Sequence, residues 1–96
     1  MITVFIEYKL DERKRADFMN LIDSVEAQLA ECGAKGYLLL EGMDQPGLVV
    51  ETFQVETAEA YQAIREWRLA DQTFCACIPG RAEKLHIWAF IPLVTR

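Results

Sequence analysis

The chain has almost none of the motifs that would name a reaction. It contains no glycine-rich phosphate loop and no nucleophile elbow, which removes the common nucleotide-binding and serine-hydrolase readings. Its single histidine is His86. The three cysteines, Cys32, Cys75 and Cys77, are an odd number without a framework spacing, so a disulfide scaffold is not expected and a reducing compartment fits. Positive charge is scarce: 10 Lys and Arg against 15 Asp and Glu leave a formal charge of -5. That balance disfavours nucleic acid, because affinity for a phosphate backbone comes mainly from Lys and Arg displacing counterions. No apolar run approaches the ~20 residues of a membrane helix. The opening Met1-Ile2-Thr3-Val4-Phe5-Ile6 has no basic flank and is interrupted by Glu7, unlike a signal peptide. The expectation is a soluble, cytoplasmic protein with no nucleic-acid or membrane partner.

What is present suffices for one compact domain spanning residues 1–96. A chain of this length buries roughly 65 per cent of its unfolded surface. Its 52% apolar and 26% charged content argues against disorder. Ile2 to Leu10 alternates Ile2, Val4, Ile6, Tyr8 with Thr3, Phe5, Glu7, Lys9 and reads as a strand. Asp11 is a plausible helix cap with Glu12 in the first turn. Phe18, Leu21, Ile22, Val25, Leu29 and Cys32 follow at helical spacing up to Gly33. Tyr37-Leu38-Leu39-Leu40, between Gly36 and Gly42, is too short for a helix and predicts a strand over 35–42. Gln45-Pro46-Gly47 marks a turn, and Leu48 to Val55 supplies the second arm of a hairpin. Thr57 caps a second helix with the stripe Ala60, Ile64, Trp67, Asp71, Phe74, Ile78, breaking near Asp71-Gln72-Thr73 and ending by Pro79-Gly80. A last strand runs from about Lys84 to Leu93. The order is strand, helix, strand, strand, helix, strand, which predicts an α+β ferredoxin-like fold: a four-stranded antiparallel sheet with two helices on one face.

The last strand is apolar on both sides. Leu85, Ile87, Ala89 and Ile91 form one face, and His86, Trp88 and Phe90 the other. Two helices cover only one side of a sheet, so one of these sets faces outward. Trp88 and Phe90 in water would expose a few hundred Å² of aromatic surface, more than monomers usually carry in one patch. A homodimer formed sheet to sheet resolves the mismatch. Alternation fixes parity only within each strand, so it does not say which set points outward.

Length, element order and the aromatic last strand together resemble the dimeric α/β-barrel superfamily, in particular its antibiotic-biosynthesis monooxygenase-like and stress-responsive barrel domains. The resemblance implies a homodimer whose two four-stranded sheets face each other. It also implies a small hydrophobic ligand bound between sheet and helices and, in some relatives, oxidation of polyketide-like aromatics, quinols or heme. The same element order in RNA-recognition motifs comes with basic and aromatic residues in the third strand, where this chain has Leu48-Val49-Val50-Glu51-Thr52-Phe53. Heavy-metal chaperones place C-x-x-C after the first strand, where Lys9-Leu10-Asp11 stands. Acylphosphatases place an arginine- and glycine-rich loop there, and it is absent too.

Few residues could carry chemistry. Glu7, Glu51 and His86 are ionisable groups inside predicted strands. If Glu7 and Glu51 share a face, two neighbouring carboxylates with a histidine could work as acid and base, the bland reading being charges at a rim or paired with Arg and Lys. His86 and Glu7 are the catalytic candidates. Trp67, Phe74 and Trp88 are expected as pocket walls, with Glu51 and Arg68 as further ligand contacts. Arg65 and Arg68, three apart, could clamp an anion, although pairing with Glu66, Asp71 or Glu83 is the simpler expectation. The resemblance also invites comparison with heme-degrading barrels, which carry a tryptophan on the second helix, an axial histidine about ten residues on and an asparagine in the first strand. Trp67 matches, Cys77 takes the place of the histidine, and Glu7 that of the asparagine. A Cys77 thiolate could ligate heme, though with different oxygen chemistry. Otherwise no cofactor is expected, and Cys75-x-Cys77 is not a zinc spacing, so no metal is expected either. The reading is a homodimer binding a small apolar or aromatic molecule, its enzymatic form a cofactor-independent monooxygenase. The alternative is a non-catalytic sensing or dimerisation module, with heme binding a lesser one.

Overall fold

The computed structural model describes residues 1–94. Strand β1 (Ile2–Lys9) leads through a single 3-10 turn (Glu12–Lys14) into helix α1 (Arg15–Glu31). The Asp11 carboxylate accepts from the Arg13 backbone N–H and so caps that turn, one step ahead of the α-helix proper. Strands β2 (Lys35–Glu41) and β3 (Leu48–Val55) form the hairpin. The Leu48 N–H donates to the Gln45 carbonyl at 3.1 Å across Pro46-Gly47, and Gly47 holds the positive φ of 90° that the second corner of such a turn requires. Helix α2 (Ala58–Ala70) is capped by the Thr57 hydroxyl. The break expected near Asp71 is present: the Asp71 carboxylate leaves α2 and caps the short helix α3 (Gln72–Cys75) by accepting from the Phe74 N–H. A 3-10 turn (Arg81–Lys84) precedes strand β4 (His86–Phe90).

The sheet order is β2-β3-β1-β4, all antiparallel. This is the expected ferredoxin-like α+β fold. Strand β4 is shorter than predicted at both ends. Its first residues are taken up by the 3-10 turn, and Phe90 already pairs with Thr3, near the start of β1, so little partner strand remains beyond it.

One face of the sheet is covered. Val4, Ile6 and Tyr8 of β1, Val49, Phe53 and Val55 of β3, and Leu85 just before β4 are buried there against Phe18, Ile22, Val25 and Leu29 of α1 and Ile64 of α2. Helical spacing on α1 and alternation on the strands thus converge on one core. Tyr8, Phe18 and Phe74 pack ring against ring at centroid distances of 5.4 to 6.0 Å. In β2 a bulge carries this alternation: Lys35 pairs with Gln54 but Leu38 with Thr52, and Gly36, at φ 67°, lies in the extra step. Tyr37 and Leu39 therefore lie against the core, while Leu38 and Leu40 stand exposed. Among the described residues no helix is long and apolar enough to cross a membrane.

Candidate functional site

The ionisable residues of the sheet separate onto its two faces. In the register of β1 and β3, Glu51 stands opposite Ile6 and Glu7 opposite Val50. Glu51 therefore points to the helices and Glu7 away from them, so the two carboxylates do not form the acid–base pair considered above.

On the helix side Glu51 and Arg68 are both fully buried. Arg68 Nη1 and Nη2 donate to Glu51 Oε1 and Oε2 at 2.8 and 2.7 Å, a bidentate pair between α2 and β3. The Tyr8 hydroxyl donates to Oε2 at 2.7 Å and the Tyr37 hydroxyl to Oε1 at 2.9 Å. Four donors from two strands and a helix thus converge on one carboxylate of a third strand. The guanidinium also lies 4.4 Å from the centroid of Phe74 and 5.6 Å from that of Trp67. Burial pushes the Tyr8 and Tyr37 hydroxyls well above the usual tyrosine range, and the Glu51 charge adds to it. Both remain proton donors at any ordinary pH. Burial opposes the charge on Arg68, but hydrogen bonding and attraction to Glu51 outweigh it and raise the pKa. With each carboxylate oxygen accepting twice, the cluster is a clamp between helix and sheet.

This arrangement corrects the expectation for Arg68. It neither joins Arg65, which is exposed, in a clamp for an outside anion nor pairs with Glu66, Asp71 or Glu83. Position 68 is four residues from Ile64 on the buried face of α2, where an arginine must bring its counter-charge with it. Trp67 is only partly buried, and Phe74 completes the clamp's aromatic wall. Neither Tyr8 nor Tyr37 was expected as a partner. The available signal was Glu51 itself, a carboxylate in an otherwise apolar alternation with Val49, Phe53 and Val55.

The other face carries the remaining candidates. Glu7 of β1 lies directly across from His86 of β4, Phe5 across from Trp88, and Thr3 across from Phe90. His86 stacks on Trp88 at 5.9 Å and 11°, and Phe5 meets Phe90 edge to face at 5.4 Å. A hollow of about 450 Å³ is lined by Phe5, Glu7, Val50, Trp88 and Phe90. Beside it, a cleft of about 390 Å³ has Glu7, Lys9, Leu48, Pro79, Lys84 and His86 among its walls. Glu7 borders both. Trp88 is thus separated by the thickness of the sheet from Trp67 and Phe74, and the three do not line one pocket. Lys9 and Lys84 had not been singled out, although one lies a strand step beyond Glu7 and the other two residues before His86.

Cys75 and Cys77 are buried, and burial raises the pKa of both thiols. Cys77 borders a shallow cleft between α1 and α3 with Lys14, Asp17, Asn20, Leu21 and Thr73. Burial of the Cys77 thiol opposes the thiolate that would have to bind heme iron. Among the described residues no three His, Cys, Asp or Glu side chains stand close enough to hold a metal ion.

The layered α+β sandwich with this strand order is the fold of the antibiotic biosynthesis monooxygenase domain proteins. A candidate antibiotic biosynthesis monooxygenase from Nitrosomonas europaea superposes with a TM-score of 0.73 at 18% identity, over 98% of this chain and 100% of the other. A second, from Bordetella bronchiseptica, gives 0.71 at 16% identity over 97% of both chains. A conserved protein from Methanosarcina mazei gives 0.64 at 21% identity, over 93% of this chain and 89% of that one. At these identities the likeness is one of fold. No family model and no curated protein matches the sequence.

Proposed function

We propose that the chain works as a homodimer whose open sheet faces meet, and that it binds a small apolar or aromatic molecule over Trp88 and Phe90, with Glu7 and His86 as its polar contacts. One observation carries this reading: the uncovered face exposes large aromatic and aliphatic side chains among its polar ones. Trp88, Phe90, Leu38 and Leu40 are 46, 54, 56 and 48% exposed on one side of a single sheet. A patch of that kind is characteristic of a surface that meets a partner or a ligand.

In its catalytic form the protein is a cofactor-independent monooxygenase. Dioxygen is the oxidant and the bound aromatic is its own reductant. For a quinol, one oxygen atom enters the ring in place of a hydrogen and the other leaves as water, giving a hydroxyquinone; the quinol supplies all four electrons. Glu7 and His86, side by side across β1 and β4, are the groups placed to take and return the proton that activates such a ring. The non-catalytic alternative, a sensing or dimerisation module, draws on the helix side, where the interior is filled by the Glu51–Arg68 clamp.

Light scattering on the purified chain tests the assembly. The expected mass is twice the 11.0 kDa of one chain, reduced to a single chain by Trp88→Glu. An unaltered chain that stays at 11.0 kDa would overturn the dimer. Oxygen uptake with a quinol tests the catalytic form. Turnover that survives in His86→Ala would remove that residue's role, and binding without uptake would leave the module.

A further inference from the structure

We infer that association of two copies through the open face is linked to a proton on His86. A second copy covers the cross-strand Glu7–His86 pair, the covered carboxylate holds the imidazole in its charged form, and the dimer tightens as pH falls through the range in which histidine titrates. The inference rests on the reading of that face as a dimer interface and adds its regulation.

Three observations lead to it. His86 is the only histidine of the chain, and it stands on β4 directly across from Glu7 of β1, where two side chains start about 5 Å apart. Second, covering the rings covers Glu7. Its side chain lines the same hollow as Phe5, Val50, Trp88 and Phe90, and His86 stacks on Trp88 at the border of that hollow. Third, the single chain leaves the pair unmade: His86 is exposed, and among the described residues no ion pair joins it to Glu7. Water serves the carboxylate there. Under a second copy that hydration is lost, and a carboxylate without a counter-charge becomes the costlier state.

The neighbouring charges do not reverse the sign. Lys9 is the diagonal neighbour on β1 and Lys84 lies two residues before His86; both are exposed, so their ammonium groups stay in water at the rim. Tyr8 also reaches the cleft, but its hydroxyl is bound to Glu51 on the helix side. Lys35, the other charge on the outward sides of the strands, is paired with Glu56. Association therefore takes up protons, and His86 holds its proton more tightly in the dimer than in the single chain. Its contribution is complete below the pH at which the single chain's histidine titrates and is lost as pH rises through the dimer's value.

The test is the dimer dissociation constant of the intact chain, measured by sedimentation equilibrium at fixed ionic strength between about pH 8 and 5.5. The expected result is a dimer that tightens toward the lower pH by about tenfold for each of its two pairs, the scale of one charge-assisted contact. His86→Gln should keep the dimer and lose the dependence. Glu7→Gln should flatten or reverse it, because an imidazole covered without a carboxylate across from it favours the neutral form. Equal affinity across the range, or a dimer that tightens as pH rises, would overturn the proton linkage and leave the dimer standing. A dependence that persists in His86→Gln would overturn its assignment to that residue. A chain that stays single at every pH would overturn the dimer reading and this inference with it.

Discussion

The two faces of this sheet handle charge and aromatic rings in opposite ways. On the helix side one carboxylate is buried among four donors, with the two terminal guanidinium nitrogens and two tyrosine hydroxyls bound to it, and rings close the remaining space. On the open side Glu7 and His86 stand across from each other beside half-exposed rings, and Lys9 and Lys84 have no ionic partner among the described residues. Buried charge is tolerated only when its hydrogen bonds are nearly complete, so the first face is committed to holding the fold. The second has polar groups and apolar surface to spare, and the proposed binding draws on that surplus.

The largest effect expected is on the committed face. Arg68→Met leaves Glu51 buried without its counter-charge and should cost about 3–5 kcal/mol in urea unfolding. Glu51→Leu combined with Arg68→Met should recover part of that loss, since no unpaired charge remains, while the Tyr8 and Tyr37 hydroxyls lose their acceptor. A double variant as unstable as the single one would refute the clamp as an electrostatic unit.

A middle-sized effect distinguishes the tyrosines from ordinary ones. Tyr37→Phe removes one hydrogen bond to a charged acceptor and should cost about 1.5–3 kcal/mol. Both tyrosine pKa values are raised in the folded state above the ordinary 10.0, so above about pH 10 the unfolded chain loses protons that the native chain keeps. Their contribution is therefore complete below that pH and lost as pH rises further, by about 1.4 kcal/mol per pH unit for each tyrosine. Urea unfolding followed from pH 9 upward should show a shallower decline in Tyr37→Phe; an identical slope would place the tyrosine outside the clamp.

The smallest effect belongs to the open face. Phe90→Ser removes a half-exposed ring whose described aromatic partner is Phe5 and should change the stability of a dilute single chain by about 1 kcal/mol or less. A loss on the scale of Arg68→Met would erase the contrast between the faces.

The pattern of alternation and helical stripes was enough to place all four strands and the two main helices, because each rests on residues close together in the chain. Gln45-Pro46-Gly47, Thr57 and Asp71 act on their own neighbours, and all appear where their chemistry puts them. The two sets of β4 were legible for the same reason, but which of them faces outward was not. Arg68 was misread because its partner lies on another element, 17 residues away. The parity of Glu7 against Glu51 was likewise beyond any single strand.

By itself, then, the sequence determined the order of the elements, the turn that joins β2 to β3, and the presence of more apolar surface than two helices can cover. Only the tertiary structure decided that Glu51 faces inward and Glu7 outward, that the Gly36 bulge carries Tyr37 to the clamp, and that Glu7, His86, Lys9 and Lys84 share one rim. The division has a physical origin. Backbone preference and capping are settled within a few residues, whereas side-chain parity between strands depends on register, and a shift of one residue in pairing sends every side chain to the other face.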